Sequence, residues 1–280
     1  MENSAQPRPE AFRCAGSDLP FVLGLTAIAA LYVGLIVALV VADAAFTAPG
    51  NLWRALASPE IRYAIKLSLI SCSITGILSL WVAVPTGYLL SRHRFPGKGL
   101  VDAILDIPIV LPPLIVGLSL LILFQTPPGR ALEKVLPVTY AIPGVILAQF
   151  SVACAFSVRA MRITFDQISP RNEQVALTLG CSRGQAFWLV ALPEARRGML
   201  SAFTLAWARA LGEFGPILVF CGATRLRTEV LSTSVFLELS IGNLNAAVAV
   251  SLLMIFAAVA VLLLVRFFGS ESVFGKGMKP

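Results

Sequence analysis

Long apolar runs alternate with short polar segments along the whole chain. A transmembrane helix needs about 20 apolar residues, and six runs come close to or exceed that length. The six runs cover residues 21–42, 61–90, 100–124, 141–158, 198–220 and 246–267. The pattern predicts an all-α, polytopic membrane protein whose six transmembrane helices occupy residues 19–269.

Two polar tails flank this membrane domain. Residues 1–18 contain Pro7 and Pro9 and are expected to form a disordered tail, and residues 270–280 are expected to form a second tail. The first apolar run is longer than the core of a signal peptide, which has about 7–15 residues. We therefore expect this run to remain as a membrane anchor.

The third apolar run contains three prolines, Pro108, Pro112 and Pro113. Each proline lacks a backbone N–H, so carbonyl groups in this run lose their helical partners. Open backbone groups are tolerated in a membrane only where they are buried against protein. The sequence therefore predicts that the third span is broken or kinked.

The composition agrees with a membrane protein. Hydrophobic residues make up 57% of the chain and charged residues 13%, whereas soluble domains carry about 25% charge. The net charge of +7 does not indicate a nucleic-acid partner, because the lysines and arginines are spread over short loops. We expect contact with membrane lipid and no binding of nucleic acid.

Lysine and arginine are divided unequally between the two sides of the membrane. With the N-terminus inside, fourteen of them lie on cytoplasmic segments and seven on outer segments, while Arg209 lies within the fifth run. The positive-inside rule then places both termini and the polar segment at about 165–197 in the cytoplasm. The expected location is the cytoplasmic (inner) membrane, crossed several times.

The sequence offers no pattern for a metal or catalytic site. The five cysteines show no CxxC or Cys/His spacing, and three of them (Cys72, Cys154 and Cys221) lie in or at apolar runs, where cysteine is usually a small hydrophobe. The phosphate-loop pattern Gly-x-x-x-x-Gly-Lys-Ser/Thr does not occur in the sequence. We expect no metal site, no catalytic residue and no ATPase activity in this chain.

The polar segment between the fourth and fifth runs has the signals of an ordered helix. Ser169 can cap the N-terminus, Pro170 suits the first helical position, and Glu173 favours the positive end of the helix. Gly180 can end this helix in the left-handed conformation that glycine adopts at little cost.

A second short helix is expected directly after this turn. Ser182 can serve as its N-cap, the apolar residues 187–190 continue it, and Pro193 is expected to stop it. The polar segment is thus predicted to form a helix, a sharp turn and a helix between two membrane spans.

This arrangement resembles the cytoplasmic coupling loop of the permease subunits of bacterial ABC importers. The family pattern is Glu-Ala-Ala, three residues, Gly, nine residues, Ile, one residue and Leu-Pro. The positions that fall on the pattern are Gln174, Val175, Ala176, Gly180, Val190, Leu192 and Pro193. Glutamine replaces the family's acid and valine its first alanine, so the docking role of the acid is open between Gln174 and the neighbouring Glu173.

A second informative stretch lies inside the fifth apolar run. Arg209 and Glu213 are spaced i,i+4 and share one helix face. Charges in a membrane usually face the interior of a bundle or an aqueous path. The two residues either form an ion pair that fixes helix packing or place Arg209 beside an anion pathway. Gly212, Gly215 and Pro216 would loosen the helix at this point.

Residues 208–215 (Ala-Arg-Ala-Leu-Gly-Glu-Phe-Gly) resemble the fifth-span signature of molybdate and sulfate permeases. Residues 94–98 (Arg-Phe-Pro-Gly-Lys) and 110–117 (Val-Leu-Pro-Pro-Leu-Ile-Val-Gly) are similar to the molybdate branch in particular. The resemblance covers about residues 60–267. It implies the type I ABC importer permease fold and an oxyanion substrate, with molybdate first, then tungstate or sulfate. Thiosulfate or phosphate is an alternative.

The resemblance also implies partners. It predicts a permease homodimer, two separate ABC ATPase subunits that bind ATP and Mg, and an extracytoplasmic substrate-binding protein. No cofactor is expected on this chain itself. An ion-coupled secondary transporter is the alternative class, and Glu213 is its clearest intramembrane acid. Adjacent genes for an ATPase and an exported binding protein would separate the two classes.

Overall fold

The computed structural model describes residues 19–47 and 49–274, and within them the regular structure is helical with no β-strand. The chain divides into two compact units between Ala45 and Phe46. The predicted tail over residues 1–18 lies outside the described residues. The final helix extends to Phe274, so the helical structure continues past residue 269.

The first unit contains helix α1, Leu19–Phe46. Its 28 residues extend over about 42 Å at a rise of 1.5 Å per residue, which is enough to cross a bilayer. Asp43 is the one charged residue in the helix. This helix agrees with the apolar run predicted over 21–42.

In its described residues, the second unit contains thirteen α-helices and one π-helical turn. They are α2 Pro49–Ala57, α3 Pro59–Arg92, α4 Lys98–Val110, α5 Pro113–Gln125, α6 Pro127–Val135, α7 Ile142–Gln167, α8 Pro170–Thr178, α9 Arg183–Ala186, the π-helical turn Phe187–Ala191, α10 Leu192–Glu194, α11 Arg196–Leu211, α12 Gly215–Cys221, α13 Leu231–Ser240 and α14 Leu244–Phe274. Four helices, α1, α3, α7 and α14, are long and apolar enough to span a membrane. Two bent pairs, α4–α5 and α11–α12, bring the number to six if each pair is one span.

Helices α3, α7 and α11 form the centre of the second unit. The buried face of α3 carries small residues at helical spacing, including Ala64, Ser68, Cys72 and Gly76. A Cβ atom added at Gly76 would lie 2.7 Å from the ring of Phe203 in α11. Small residues on one face allow neighbouring helices to approach closely, and in membranes they commonly drive helix packing.

The third span is broken, as its prolines predict. Helices α4 and α5 meet at an angle of 110°, and the backbone is extended at Leu111 and Pro112. The break coincides with the double proline because a residue that precedes proline avoids the helical region. Pro108 instead lies inside α4. Helix α5 buries Val116, Gly117 and Phe124 against its neighbours.

Three short helices, α2, α6 and α13, occupy segments that the sequence assigns to outer loops. Helix α6 begins at a local cap, because the Thr126 hydroxyl accepts a hydrogen bond from the Gly129 N–H at 3.4 Å. Each helix has only nine or ten residues, too few for a periodic apolar pattern to stand out from the surrounding loop. Helix α3 begins at a similar cap, because the Ser58 hydroxyl accepts a hydrogen bond from the Ile61 N–H.

Glu229 is fully buried in the loop between α12 and α13. Its Oε1 atom accepts a hydrogen bond from the Ser234 hydroxyl at 2.8 Å, whereas Oε2 has no hydrogen-bond partner among the described residues. Burial raises the pKa of Glu229 and outweighs the Ser234 hydrogen bond and the Arg225 charge, which lower it, while the nearby Glu238 and Glu60 raise it further. The carboxylate therefore binds a proton more tightly in the folded protein than in the unfolded chain.

We expect the stability of the protein to increase as the pH falls through the raised pKa of Glu229 towards the ordinary pKa of a glutamate, about 4.3. Glu229→Gln should raise the free energy of unfolding at pH 7.5 by on the order of 1–2 kcal/mol, because the buried charge is removed. It should also weaken the pH dependence. Thermal unfolding in detergent measures both effects, with Glu194→Gln at an exposed position as the control. An unchanged pH profile in Glu229→Gln would contradict the prediction.

Candidate functional site

The coupling segment, residues 169–197, begins with the predicted helix and glycine turn. The Ser169 hydroxyl caps α8 by accepting a hydrogen bond from the Arg171 N–H. Gly180 has φ of +93° and ends α8 as predicted. The Cys181 N–H donates to the Ala176 carbonyl at 3.1 Å and the Gly180 N–H to that of Leu177 at 3.1 Å. These two bonds form the glycine-terminated C-cap that satisfies the last carbonyls of a helix.

The second helix of the segment also begins as predicted but does not end at Pro193. Ser182 and Gln185 form a reciprocal capping box, with bonds of 2.8 and 3.3 Å. The chain then passes through the π-helical turn into α10, so the predicted stop at Pro193 is wrong. The Leu192 N–H bonds to the Phe187 carbonyl, five residues back. This wider turn relieves the conflict that a proline ring creates in a regular α-helix.

The coupling segment exposes a group of large apolar side chains, which we call the coupling surface. Leu179 is 80% exposed, Leu189 68% and Trp188 66%. The group consists of Val175, Leu177, Leu179, Trp188 and Leu189. Several exposed large apolar side chains on one short polar segment indicate a docking surface for a partner protein.

The residues matched to the Glu-Ala-Ala pattern divide between this surface and the interior. Those that are exposed are Gln174, Val175, Gly180 and Pro193, whereas Ala176 is buried and Val190 and Leu192 are half-buried. The pattern therefore supplies the turn and part of the contact surface.

Glu173, one residue before the triplet, is buried. It lies in the first turn of α8 as predicted, but its carboxylate also makes contacts that the sequence did not reveal. Oε1 lies 2.8 Å from Nε of Arg92, and Oε2 accepts a hydrogen bond from the Tyr88 hydroxyl at 2.6 Å. Arg92 precedes Glu173 by 81 residues, and no local pattern links the two.

The fifth span is broken near its middle, between α11 and α12, which meet at 60°. Arg209 and Glu213 form the ion pair that their spacing predicts. The Glu213 side chain is 1% exposed, whereas that of Arg209 is 29% exposed. The Arg209 guanidinium also lies over the Phe156 ring, 5.5 Å from its centre. The accessible member of the pair is thus the cation.

The small residues at this break allow two half-helices to touch through their backbones. Gly212 caps α11, and α12 begins with Gly215 and Pro216. A Cβ atom at Gly215 would lie 3.0 Å from the Leu114 nitrogen in α5, and one at Gly117 would lie 2.7 Å from the Pro216 Cα. Helices α5 and α12, the second halves of the two broken spans, therefore pack directly on each other.

Side chains from neighbouring helices satisfy carbonyl groups at the break. Gln149, which is 1% exposed in α7, donates from Nε2 to the Ala210 carbonyl at 3.2 Å. The Ser232 hydroxyl donates to the Glu213 carbonyl at 2.6 Å. These bonds stabilise an interrupted helix at membrane depth. A glutamine within an apolar run was the available sequence signal for Gln149, and the sequence reasoning missed it.

Two ion pairs connect α4 to α7 near the end of α7 that leads into the coupling segment. Asp102 pairs with Arg162 at 2.6 Å, and Asp106 pairs with Arg159 at 3.1 Å. The second pair is largely exposed. Asp102 and Asp106 therefore have basic partners, and the two pairs connect the first half of the third span to α7.

Solved structures with the same arrangement of helices identify the class of fold. A bacterial alginate ABC transporter in complex with its pentasaccharide-bound periplasmic protein has a chain that matches with a TM-score of 0.69. The match covers 93% of this chain and 96% of that one at 18% identity. A structure of a bacterial ABC transporter involved in alginate import gives a TM-score of 0.72 at 16% identity and 92% coverage of this chain. The protein has the type I ABC importer permease fold, as predicted.

Residues 83–270 match the family described as the binding-protein-dependent transport system inner membrane component, and the chain belongs to this family. The sulfate transport system permease protein CysT of Escherichia coli is 32% identical over 80% of this chain and 81% of its own length. The molybdenum transport system permease protein ModB of Mycobacterium bovis is 32% identical over 75% and 81%. The molybdate/tungstate permease WtpB of Thermococcus kodakarensis is 36% identical over 59% and 63%. The predicted family of importer permeases is confirmed.

Proposed function

We propose that this chain is the transmembrane subunit of an ATP-driven importer that carries an oxyanion across the cytoplasmic membrane. Molybdate is the first candidate, followed by tungstate and sulfate. The proposal is carried by the relatives named for sulfate, molybdate and tungstate transport, because these substrates share one chemistry: small tetrahedral dianions. The segments over 94–98 and 110–117 favour molybdate among them.

Energy would enter through the coupling surface. The exposed Leu179, Trp188 and Leu189 suit an apolar cleft on a separate ATPase subunit, which would bind ATP and Mg. The chain itself would bind no cofactor and catalyse no reaction. The excess of lysine and arginine on the side of the coupling segment supports a cytoplasmic position for this surface and for both termini.

The substrate pathway would pass the break in the fifth span. Arg209 offers a partly exposed positive group there, while Glu213 is buried behind it. A partly desolvated cation attracts an anion more strongly than one in open water. The helix beside this path would be bent and would carry little side-chain bulk at Gly212, Gly215 and Pro216. Two copies of the chain, facing each other, would enclose it, and an extracytoplasmic binding protein would deliver the substrate.

Uptake into proteoliposomes tests the proposal. The permease, its ATPase subunits and its binding protein are reconstituted together, and labelled molybdate is followed with and without ATP. We expect ATP-dependent uptake that tungstate and sulfate reduce in competition. Stronger competition by thiosulfate or phosphate would assign that anion as the substrate. Uptake without ATP would contradict an ATP-driven importer.

The purified chain alone should hydrolyse no ATP, whereas the complete complex should hydrolyse ATP at a rate that substrate-loaded binding protein increases. Phosphate release from homogeneous chain measures this directly. Hydrolysis that persists after removal of every ATPase subunit would contradict the assignment of the chain as a permease.

A further inference from the structure

The carboxylate of Glu173 is bound by side chains of α3. Its side chain is 10% exposed, whereas its neighbour Gln174 is exposed. A carboxylate that is buried and already paired has no free oxygen to offer a docked ATPase. The acid beside the triplet therefore serves contacts within this chain.

The Arg92 guanidinium joins three helices at one point. Nε contacts Glu173 in α8 at 2.8 Å, while Nη1 and Nη2 donate to the carbonyls of Phe165 and Ile168, both at 2.9 Å. Those carbonyls lie at the C-terminal end of α7, and Arg92 is the last residue of α3. Because the guanidinium group is planar and rigid, these three bonds hold Glu173 and the two carbonyl groups in fixed positions relative to one another.

Tyr88, one turn earlier on α3, holds the second carboxylate oxygen of Glu173. Its ring packs edge-on against Phe165 at 5.4 Å and Phe187 at 4.7 Å between ring centres. Phe187 opens the π-helical turn of the coupling segment. Both oxygens of Glu173 are thus bound by a single helix, and both helices of the coupling segment touch Tyr88.

We propose that Tyr88, Arg92 and Glu173 form a clamp that passes movement of the coupling segment to α3 and α7. The inference rests on the proposed function. Arg92 and Glu173 are each about one-tenth exposed, so separating them would leave charges without partners in a poorly solvated place, which is strongly unfavourable. When a docked ATPase displaces α8, the inner ends of α3 and α7 must therefore follow.

The first half of the third span is joined to α7 by more exposed ion pairs. The side chains of the Asp102–Arg162 pair are 26% and 36% exposed and those of the Asp106–Arg159 pair 39% and 59%, and exposed ion pairs contribute little to stability. Helix α4 can therefore shift against α7 more easily than α8 can shift against α3. The clamp makes α3, α7 and α8 the moving unit. All three clamp residues are positioning residues, since the contacts described for them lie within this chain.

The test is Glu173→Gln in the complete complex in proteoliposomes, with three measurements: binding of the ATPase subunits, ATP hydrolysis, and substrate moved per ATP hydrolysed. We expect ATPase binding and hydrolysis to persist, while substrate moved per ATP falls by about tenfold or more, since a hydrogen-bonded charge pair is lost. Thr178→Ala, at an exposed position on the same helix outside the coupling surface, is the matched control and should keep the wild-type ratio. Loss of ATPase binding in Glu173→Gln would overturn the clamp, because Glu173 would then be a docking residue.

Two further variants separate transmission from folding. Arg92→Gln with Glu173→Gln removes both charges, and we expect wild-type thermal stability with a low ratio of transport to hydrolysis. Tyr88→Phe removes only the hydroxyl and should lower the ratio of transport to hydrolysis by a smaller factor. This variant tests the clamp if the other variants do not assemble. A wild-type ratio of substrate moved per ATP in a stable double variant would overturn the proposal. If the charge variants do not assemble, a wild-type ratio in Tyr88→Phe would overturn it. Failure of ATP-driven uptake by the wild-type complex would instead count against the proposed function.

Discussion

Replacing Gly180 by valine is expected to leave the protein inserted in the membrane but to abolish most ATP-driven transport. Gly180 has φ of +93°, a conformation that costs a residue with a side chain about 1–2 kcal/mol and a β-branched residue more. A Cβ atom there would meet nothing within 4 Å, so the effect acts through the backbone alone. The turn would open, and Leu179 and Trp188 would no longer share one docking surface.

The measurements are the amount of inserted protein, the affinity for the ATPase subunits and substrate uptake. Gly184→Ala is the matched control, because Gly184 also has open space around it but lies within helix α9. Alanine should be tolerated there and should favour the helix by about 1 kcal/mol. Normal uptake by well-inserted Gly180→Val would show that the left-handed turn is not needed for coupling.

Arg209→Met is expected to destabilise the protein strongly. The Glu213 side chain is 1% exposed, and the substitution would leave its carboxylate without its partner. Removing one member of a buried ion pair costs about 3–5 kcal/mol. The midpoint of thermal unfolding in detergent should fall accordingly. Glu213→Leu should cost less, because the Arg209 side chain is 29% exposed and stays over Phe156.

The double variant Arg209→Met, Glu213→Leu should recover most of the stability, because no unpaired charge remains. We nevertheless expect it to take up oxyanion poorly while its complex still hydrolyses ATP, since the accessible positive group of the pathway is gone. Uptake of labelled molybdate beside the ATPase rate measures this. Undiminished uptake by the stable double variant would remove Arg209 from the pathway and leave the pair a role in packing alone.

The features that could be predicted from the sequence are those that depend on a few neighbouring residues. The cap at Ser169, the left-handed turn at Gly180 and the second cap at Ser182 each need a span of only a few positions. The i,i+4 spacing of Arg209 and Glu213 likewise fixes their approach on one helix face. Local rules are sufficient in these cases because the interacting groups are held together by the chain itself.

The features that could not be predicted depend on packing between distant segments. The partner of Glu173 lies 81 residues earlier, and its buried state follows from how α3, α7 and α8 meet. Pro193 is expected from the sequence to end the second helix. The π-helical turn before it instead leads directly into α10, which contains Pro193. Proline content predicts that the third span breaks, but it does not give the angle of 110° between α4 and α5.

The backbone contact between α5 and α12 also constrains how this sequence can evolve. A Cβ atom at position 117 would lie 2.7 Å from the Cα of Pro216. A Cβ atom at position 215 would lie 3.0 Å from the backbone nitrogen of Leu114 in α5. A methyl group at either glycine would push the two half-helices apart, and the breaks in the third and fifth spans would move with them. Substitutions at 117 and 215 should therefore be accepted only together with changes in the facing segments. Among related permeases, these positions should covary as one unit, even though the two spans are separated by about a third of the chain.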